Sequence, residues 1–156
     1  MLTKRSKYGL KALLLLAREH DRGPVLISEL AERERIPKKF LELILLDLKH
    51  RGLVQSRKGP GGGYQLGRAP DLISIGEIIR ILDGPLALLP CVSQTAYMPC
   101  EECESERDCA VRSVFKTVRD ETSRILDGTT LAAASLFITG DDRPAPADRP
   151  SRPSAR

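Results

Sequence analysis

The chain has 156 residues, 41% of them apolar, which is enough for one domain with a real core plus additional segments. Aromatic residues make up 4% and tryptophan is absent, which argues against a base-stacking platform for single-stranded nucleic acid. The net charge of +4 is uneven: residues 1–68 carry 15 Lys and Arg against 7 Asp and Glu, whereas residues 69–156 carry 10 against 14, so a basic front of +8 precedes an acidic rear of −4. The front suits a polyanion, and the rear suits a different task.

Residues 4–20 read as a helix with Tyr8, Ala12, Leu15 and Leu16 on one face and Lys4, Lys7, Lys11 and Arg18 mostly off it. Its apolar run, Ala12 to Ala17, is closed at once by "REHD". That is too short for a secretory signal and far below the ~20 residues of a membrane span. A cytoplasmic chain with no membrane partner is expected, with cysteines kept reduced for metals or redox chemistry.

"DRGP" breaks the first helix, and Ser28 is expected to cap a short second one with Leu30 and Ala31 turned inward. A third helix begins at Pro37, proline being tolerated in a first turn. Phe40, Leu41, Ile44, Leu45 and Leu48 form its core-facing stripe, and Gly52 suits its left-handed cap. Two extended runs follow, "LVQSRK" and "GYQLGR", joined by "GPGG" as a hairpin. Three helices and then a basic hairpin is the order of a winged helix-turn-helix.

In "RKGPGGGYQL", four of the chain's twelve glycines fall within five positions behind Arg57 and Lys58. As a wing tip, such a turn approaches a phosphate backbone closely, with Gly61 and Tyr64 beside the charge. A phosphate-cradling nucleotide loop instead needs a helix after the glycines and a Gly-Lys-Ser/Thr ending. Here the glycines run into a strand-like segment. The outward residues of the third helix include Lys38, Lys39, Glu42, Leu43 and Leu46. Lysines near its start can sit against phosphates, Glu42 can accept from a cytosine amino group, and Leu43 can touch a thymine methyl. The bland alternative for Glu42 is a solvated helix glutamate, and for the leucines a contact elsewhere in the protein.

Ser74 and Glu77 form a capping box opening a helix to about Leu82. An aperiodic stretch then holds Cys91, Cys100, Cys103 and Cys109, spaced C-x8-C-x2-C-x5-C. Four thiols so close in a reduced compartment signal a metal, either zinc or an iron–sulfur cluster, and the spacing favours neither decisively. Five acids crowd the same loop. Ala110 to Leu126 is an amphipathic helix with Val111, Val114, Phe115, Val118, Thr122, Ile125 and Leu126 on one side, suited to pairing with its twin or to packing on its own domain. "TTLAAASLF" reads as a short last helix. No Ser/His/Asp or Cys/His arrangement is visible, so no enzyme is expected.

The fold expected is mostly α: a winged helix-turn-helix DNA-binding domain over 1–84 with a two-stranded β wing, a cysteine loop over 85–109, a long dimerisation helix and short helix over 110–138, and a disordered tail over 139–156. The segments "KYGLKALLLLA", "ISELAERERIPKKFLELILLDLKHRGLVQSRKGPGGGYQLGR", "ISIGEII" and "CESERDCAVRSVF" resemble the iron–sulfur-cluster-regulator (IscR-like, Rrf-type) family of bacterial transcription factors over about residues 1–135. The resemblance implies a homodimer on a palindromic duplex operator, acting as activator or repressor, with repression the leading reading. It also implies that the third helix reads bases, that the wing enters the minor groove, that Glu42 discriminates sequence, and that Lys58 is the basic wing-tip residue.

Many members hold the cluster with three cysteines at six-residue steps. Cys103 and Cys109 keep that step, whereas Cys91 lies farther off across a stretch containing Cys100. Arg112 stands where the family's namesake has a ligating histidine, which leaves Cys100 as the simplest fourth ligand and [2Fe–2S] preferred over [4Fe–4S]. The alternatives are a zinc site or thiol switch on the same DNA-binding protein, and a cluster-bearing electron carrier without DNA.

Overall fold

A computed structural model describes residues 2–137, so the tail expected over 139–156 lies outside the described residues. Helix α1 (Lys4–Arg18) starts at Thr3, whose hydroxyl oxygen accepts from the Ser6 N–H at 3.2 Å. Thr3 also donates its N–H to Asp83 at 3.0 Å and its hydroxyl to the other carboxylate oxygen, tying the start of α1 to the end of a later helix. The helix stops two residues before the expected end, and a separate 3-10 turn covers His20–Arg22. Gly9 lets α1 cross its neighbours closely: a Cβ there would run into Leu82 and come within 3.4 Å of Ile44.

Helix α2 (Ile27–Glu34) is not capped by Ser28, which lies inside its first turn; Leu26 is the cap residue and supplies no side-chain bond. The cause is tertiary. Val25 exchanges both backbone hydrogen bonds with Tyr64 at 2.8 Å, which holds the chain extended up to Leu26 and lets the helix start two residues early. Arg35 ends α2 in the left-handed region at φ 54°, and the buried Ile36 follows. Helix α3 (Lys38–His50) begins just after Pro37, whose carbonyl accepts from Phe40 and Leu41 at 3.0 Å. Leu41, Ile44, Leu45 and Leu48 are at most 1% exposed, as the stripe predicts. Phe40 departs from it: at 38% exposure it lies where the stripe runs off the core edge, edge-to-face on Tyr8 with centroids 5.7 Å apart.

Gly52, at φ 72°, turns the chain into strand β1 (Val54–Arg57), antiparallel to β2 (Gly63–Leu66) in the register Val54↔Leu66 to Arg57↔Gly63. Helix α4 (Ile75–Leu82) is capped by the Ser74 hydroxyl accepting from Glu77 N–H at 3.1 Å. The box is only half made, because the Glu77 carboxylate pairs with Arg68 at 2.6 Å.

A loop with one 3-10 turn at Pro90–Val92 leads to α5 (Ala110–Gly128) and α6 (Leu131–Leu136). Helix α6 joins the first unit: Leu131 is fully buried in the core shared by α1, α3 and α4, and its N–H reaches the Ile73 carbonyl at 2.9 Å. Helix α5 is joined to α4 by Arg80, which donates twice to Asp127 at 2.6 and 2.8 Å. The contact needs Gly76, where any Cβ would strike the Asp127 carboxylate. Among the described residues no helix is long and apolar enough to cross a membrane.

Candidate nucleic-acid interface and cysteine cavity

Part of the basic front is neutralised by its own acids. On the α1–α2 side, Arg33 bonds Glu19 at 2.9 Å and Glu29 at 3.0 Å, Arg22 reaches Glu19 at 3.4 Å, and Arg18 meets Glu34 at 3.1 Å. Arg33's hydrogen bond, with Arg22 beside it, holds the Glu19 carboxyl below its usual range. Lys38, Lys39, Arg57 and Lys58 are exposed and have no acidic partner among the described residues. Among the described residues, uncompensated charge therefore lies on the start of α3 and on the wing, as well as at Lys4, Lys7, Arg35 and Arg51. Two lysines at a helix N-terminus oppose the helix dipole, a placement that costs stability unless an anion sits there.

Along α3, Glu42 is exposed without an ion pair, and Leu43 and Leu46 are 63% and 47% exposed on the side away from the core. Two contacts were not legible beforehand. Arg5 bonds Asp47 from α1, and Lys49 Nζ donates to the Ser56 hydroxyl at 2.6 Å, joining the end of α3 to the wing. Both link residues far apart in a surface pattern that periodicity does not encode.

The wing tip is a tight glycine turn, with Gly62 N–H donating to the Gly59 carbonyl at 2.9 Å and Gly61 exposed at φ 71°. Tyr64 sits apart from that tip. Its ring is half-buried against the core and its backbone bridges Val25, so the tyrosine ties the wing to the chain before α2.

The four cysteines, scattered over the loop in sequence, line one cavity of about 440 Å³ against the start of α5, together with Met98 and Arg112. Cys91 is buried in the 3-10 turn, and Cys109 is the cap residue of α5. Its sulfur accepts from the Arg112 N–H at 3.4 Å, which holds the Cys109 thiol below its ordinary range against the opposing effect of burial. Hydrogen bonds with Cys100 and Cys109 push the Cys103 thiol up to about 12. The Cys103 thiol is thus held in its neutral form while that of Cys109 is eased toward thiolate. A bound cationic centre would draw the remaining protons off, since thiolate is the ligating form.

The donor set thus fits a thiophilic metal centre in type and in shared cavity. Among the described residues no three His, Cys, Asp or Glu side chains already converge as around a single ion. Arg112, in place of a histidine, pairs with Glu106 at 3.2 Å, and Glu106 accepts from the Tyr97 hydroxyl at 2.7 Å. Glu106 is the one of the five loop acids with a partner among the described residues; the others are exposed.

Residues 2–135 match the Rrf2 family, described as iron-dependent transcriptional regulators. The chain belongs to that family. An rrf2-like HTH-type transcriptional regulator of Rhodobacter capsulatus is 47% identical over 134 residues, covering 84% of this chain and 89% of the relative. CymR of Bacillus subtilis is 33% identical, covering 90% and 93%, and its solved structure, described as that of the global cysteine regulator, superposes with a TM-score of 0.74 over 88% of this chain and 97% of CymR. The IscR structure from T. potens is 29% identical with a TM-score of 0.71, covering 94% and 93%.

This Rrf2 protein is therefore a winged-helix, DNA-binding transcriptional regulator and not an enzyme. The electron-carrier alternative falls with that membership. Glu42→Ala is expected to relax selectivity at one base position, removing about 1–3 kcal/mol of discrimination, while leaving non-specific binding equal or stronger. Lys58→Ala should weaken binding to all duplexes alike and lower the salt slope by about one per subunit. A base-substitution binding series at several salt concentrations checks both.

Proposed function

We propose that this Rrf2 protein is a cytoplasmic homodimeric repressor whose hold on a palindromic operator is set by an iron–sulfur cluster on Cys91, Cys100, Cys103 and Cys109. Lys38 and Lys39 take phosphates, Glu42 and Leu43 face base edges, and Arg57, Lys58 and Gly61 bring the wing tip to the minor groove. Two α3 helices would read half-sites about one turn (~34 Å) apart. The observation that carries the sensing part is the gathering of all four thiols on one cavity at the root of α5, a helix whose valines face outward.

A [2Fe–2S] cluster held there supplies a charge centre that answers to iron supply, redox state or nitric oxide. The protein's part is positional. Cys109 is both a thiol of the set and the cap of α5, so ordering of the 85–109 loop and the start of that helix are one event. Asp83, just before the loop, is bonded to Thr3 beside α1, and Arg5 continues from α1 to Asp47 on α3.

Anaerobically isolated full-length protein is expected to be brown, with equal iron and acid-labile sulfide. Replacing all four cysteines by serine should bleach it and make operator affinity indifferent to oxidant. Stoichiometric zinc in a colourless protein would overturn the cluster in favour of a zinc site. One observation favours a second reading. Cys103 and Cys109 are hydrogen-bonded thiols, which supports a thiol switch. In that case, the metal-free protein changes affinity on oxidation and recovers it with a dithiol reductant.

A further inference from the structure

We infer that Leu43 and Leu46 form an apolar ridge on α3 that reads thymine 5-methyl groups, so that the operator half-site carries thymines at neighbouring major-groove positions. The inference rests on α3 being the helix that enters the groove. The two leucines are 63% and 47% exposed, although the core side of the same helix is already filled by Leu41, Ile44, Leu45 and Leu48. Three residues apart on a helix, they are neighbours, with Cβ atoms about 5–6 Å apart. Stacked bases lie about 3.4 Å apart, so one ridge spans adjacent steps.

Its surroundings identify what covers it. Lys38 and Lys39 stand at one end of α3 and Arg57 and Lys58 on the wing, all without acidic partners among the described residues. Of the nearby polar groups, Asp47 is held by Arg5 and Lys49 by Ser56, while Glu42 stays exposed beside Leu43. Whatever docks here is polyanionic at the rim and apolar at the centre. Among the base edges of a major groove, the apolar group is the thymine C5-methyl. Free cations at the start of α3 and on the wing that follows it match a duplex better than an apolar face of a second copy, which would carry the same cations.

The test selects a binding site from random-sequence duplex with the full-length protein, then replaces each thymine in turn by deoxyuridine. Wild type is expected to lose about four-fold in affinity for each contacted methyl removed. L43A and L46A should each become indifferent to deoxyuridine at one position while keeping their oligomeric state. Equal affinity for thymine and deoxyuridine at every position overturns the inference, as does a selected half-site lacking thymine. So do leucine variants that keep the full thymine preference, or that change oligomeric state instead of base preference. A wild type that retains no duplex at low salt sinks the role of α3 itself, an outcome distinct from retained binding that ignores the methyls.

Discussion

Gly63→Ala is expected to detach the wing, lowering stability by about 2–5 kcal/mol and abolishing operator binding. Gly63 opens β2 at φ 140°, a backbone conformation that side chains rarely adopt. A Cβ there would lie 2.5 Å from the Val25 carbonyl carbon and 2.9 Å from the Leu26 nitrogen. Both obstacles are backbone, so no rotamer change relieves them. The hairpin must move off Val25 and give up the two 2.8 Å hydrogen bonds between Val25 and Tyr64, worth about 1 kcal/mol each.

Those same bonds set where α2 begins, so the damage extends from the wing into the helix-turn-helix. Gly61→Ala is the control. Its φ of 71° imposes a cost of about 1–2 kcal/mol, yet nothing lies within 4 Å of its Cβ and the wing base stays paired. Urea unfolding followed by circular dichroism, together with anisotropy of a labelled duplex, separates the two. Equal effects of the two substitutions would show that the Val25 contact does not hold the wing.

Val114→Glu combined with Val118→Glu is expected to turn the proposed dimer into a monomer and weaken operator binding by about 100-fold or more. Among the residues of α5, Arg119 alone is buried, and Val111, Val114, Val118 and Ile125 are 41–60% exposed. Their spacing of three, four and seven is that of a helix seam made to meet another helix. Phe115 and Leu126 are half-buried, so the predicted apolar side of α5 is shared between its own domain and an outward seam. A valine taken fully out of water contributes about 1.5–3 kcal/mol, so several from each copy are enough to hold a pair.

Two glutamates per subunit place four like charges on that seam, while the protomer, to which these side chains contribute little buried surface, stays folded. Half-site binding should persist at low salt, because the α3 and wing cations are untouched. Sedimentation and duplex titration provide the measurement. A variant that stays dimeric with affinity within about three-fold of wild type would remove α5 as the pairing surface.

The order of helices and hairpin was legible because it rests on near-neighbour chemistry. A 3.6-residue repeat of leucines, a Ser74 cap and a run of glycines act within one turn of chain. Where expectation and structure part, the cause lies at long range. Phe40 belongs to the stripe by spacing but overhangs the core edge onto Tyr8. Ser28 has the right chemistry for a cap, yet the Val25–Tyr64 bridge starts the helix before it. Tyr64, next to the wing tip in sequence, has its ring half-buried against the core.

By itself, the sequence determined which elements form, that a basic front carries more cations than acids, and that four thiols share a short segment. Only the tertiary structure decided which cations remain uncompensated, because Glu19 and Glu34 neutralise residues brought to them from other turns and helices. It also seated Leu131, from the far end of the chain, in the core of the first unit, and brought Cys91 to the cavity shared with Cys100, Cys103 and Cys109. Helix and strand preferences are set by groups a few ångströms apart along the backbone. Charge compensation, close backbone approach and cavity lining depend on residues tens of positions apart, whose meeting is fixed only when the apolar faces bury one another.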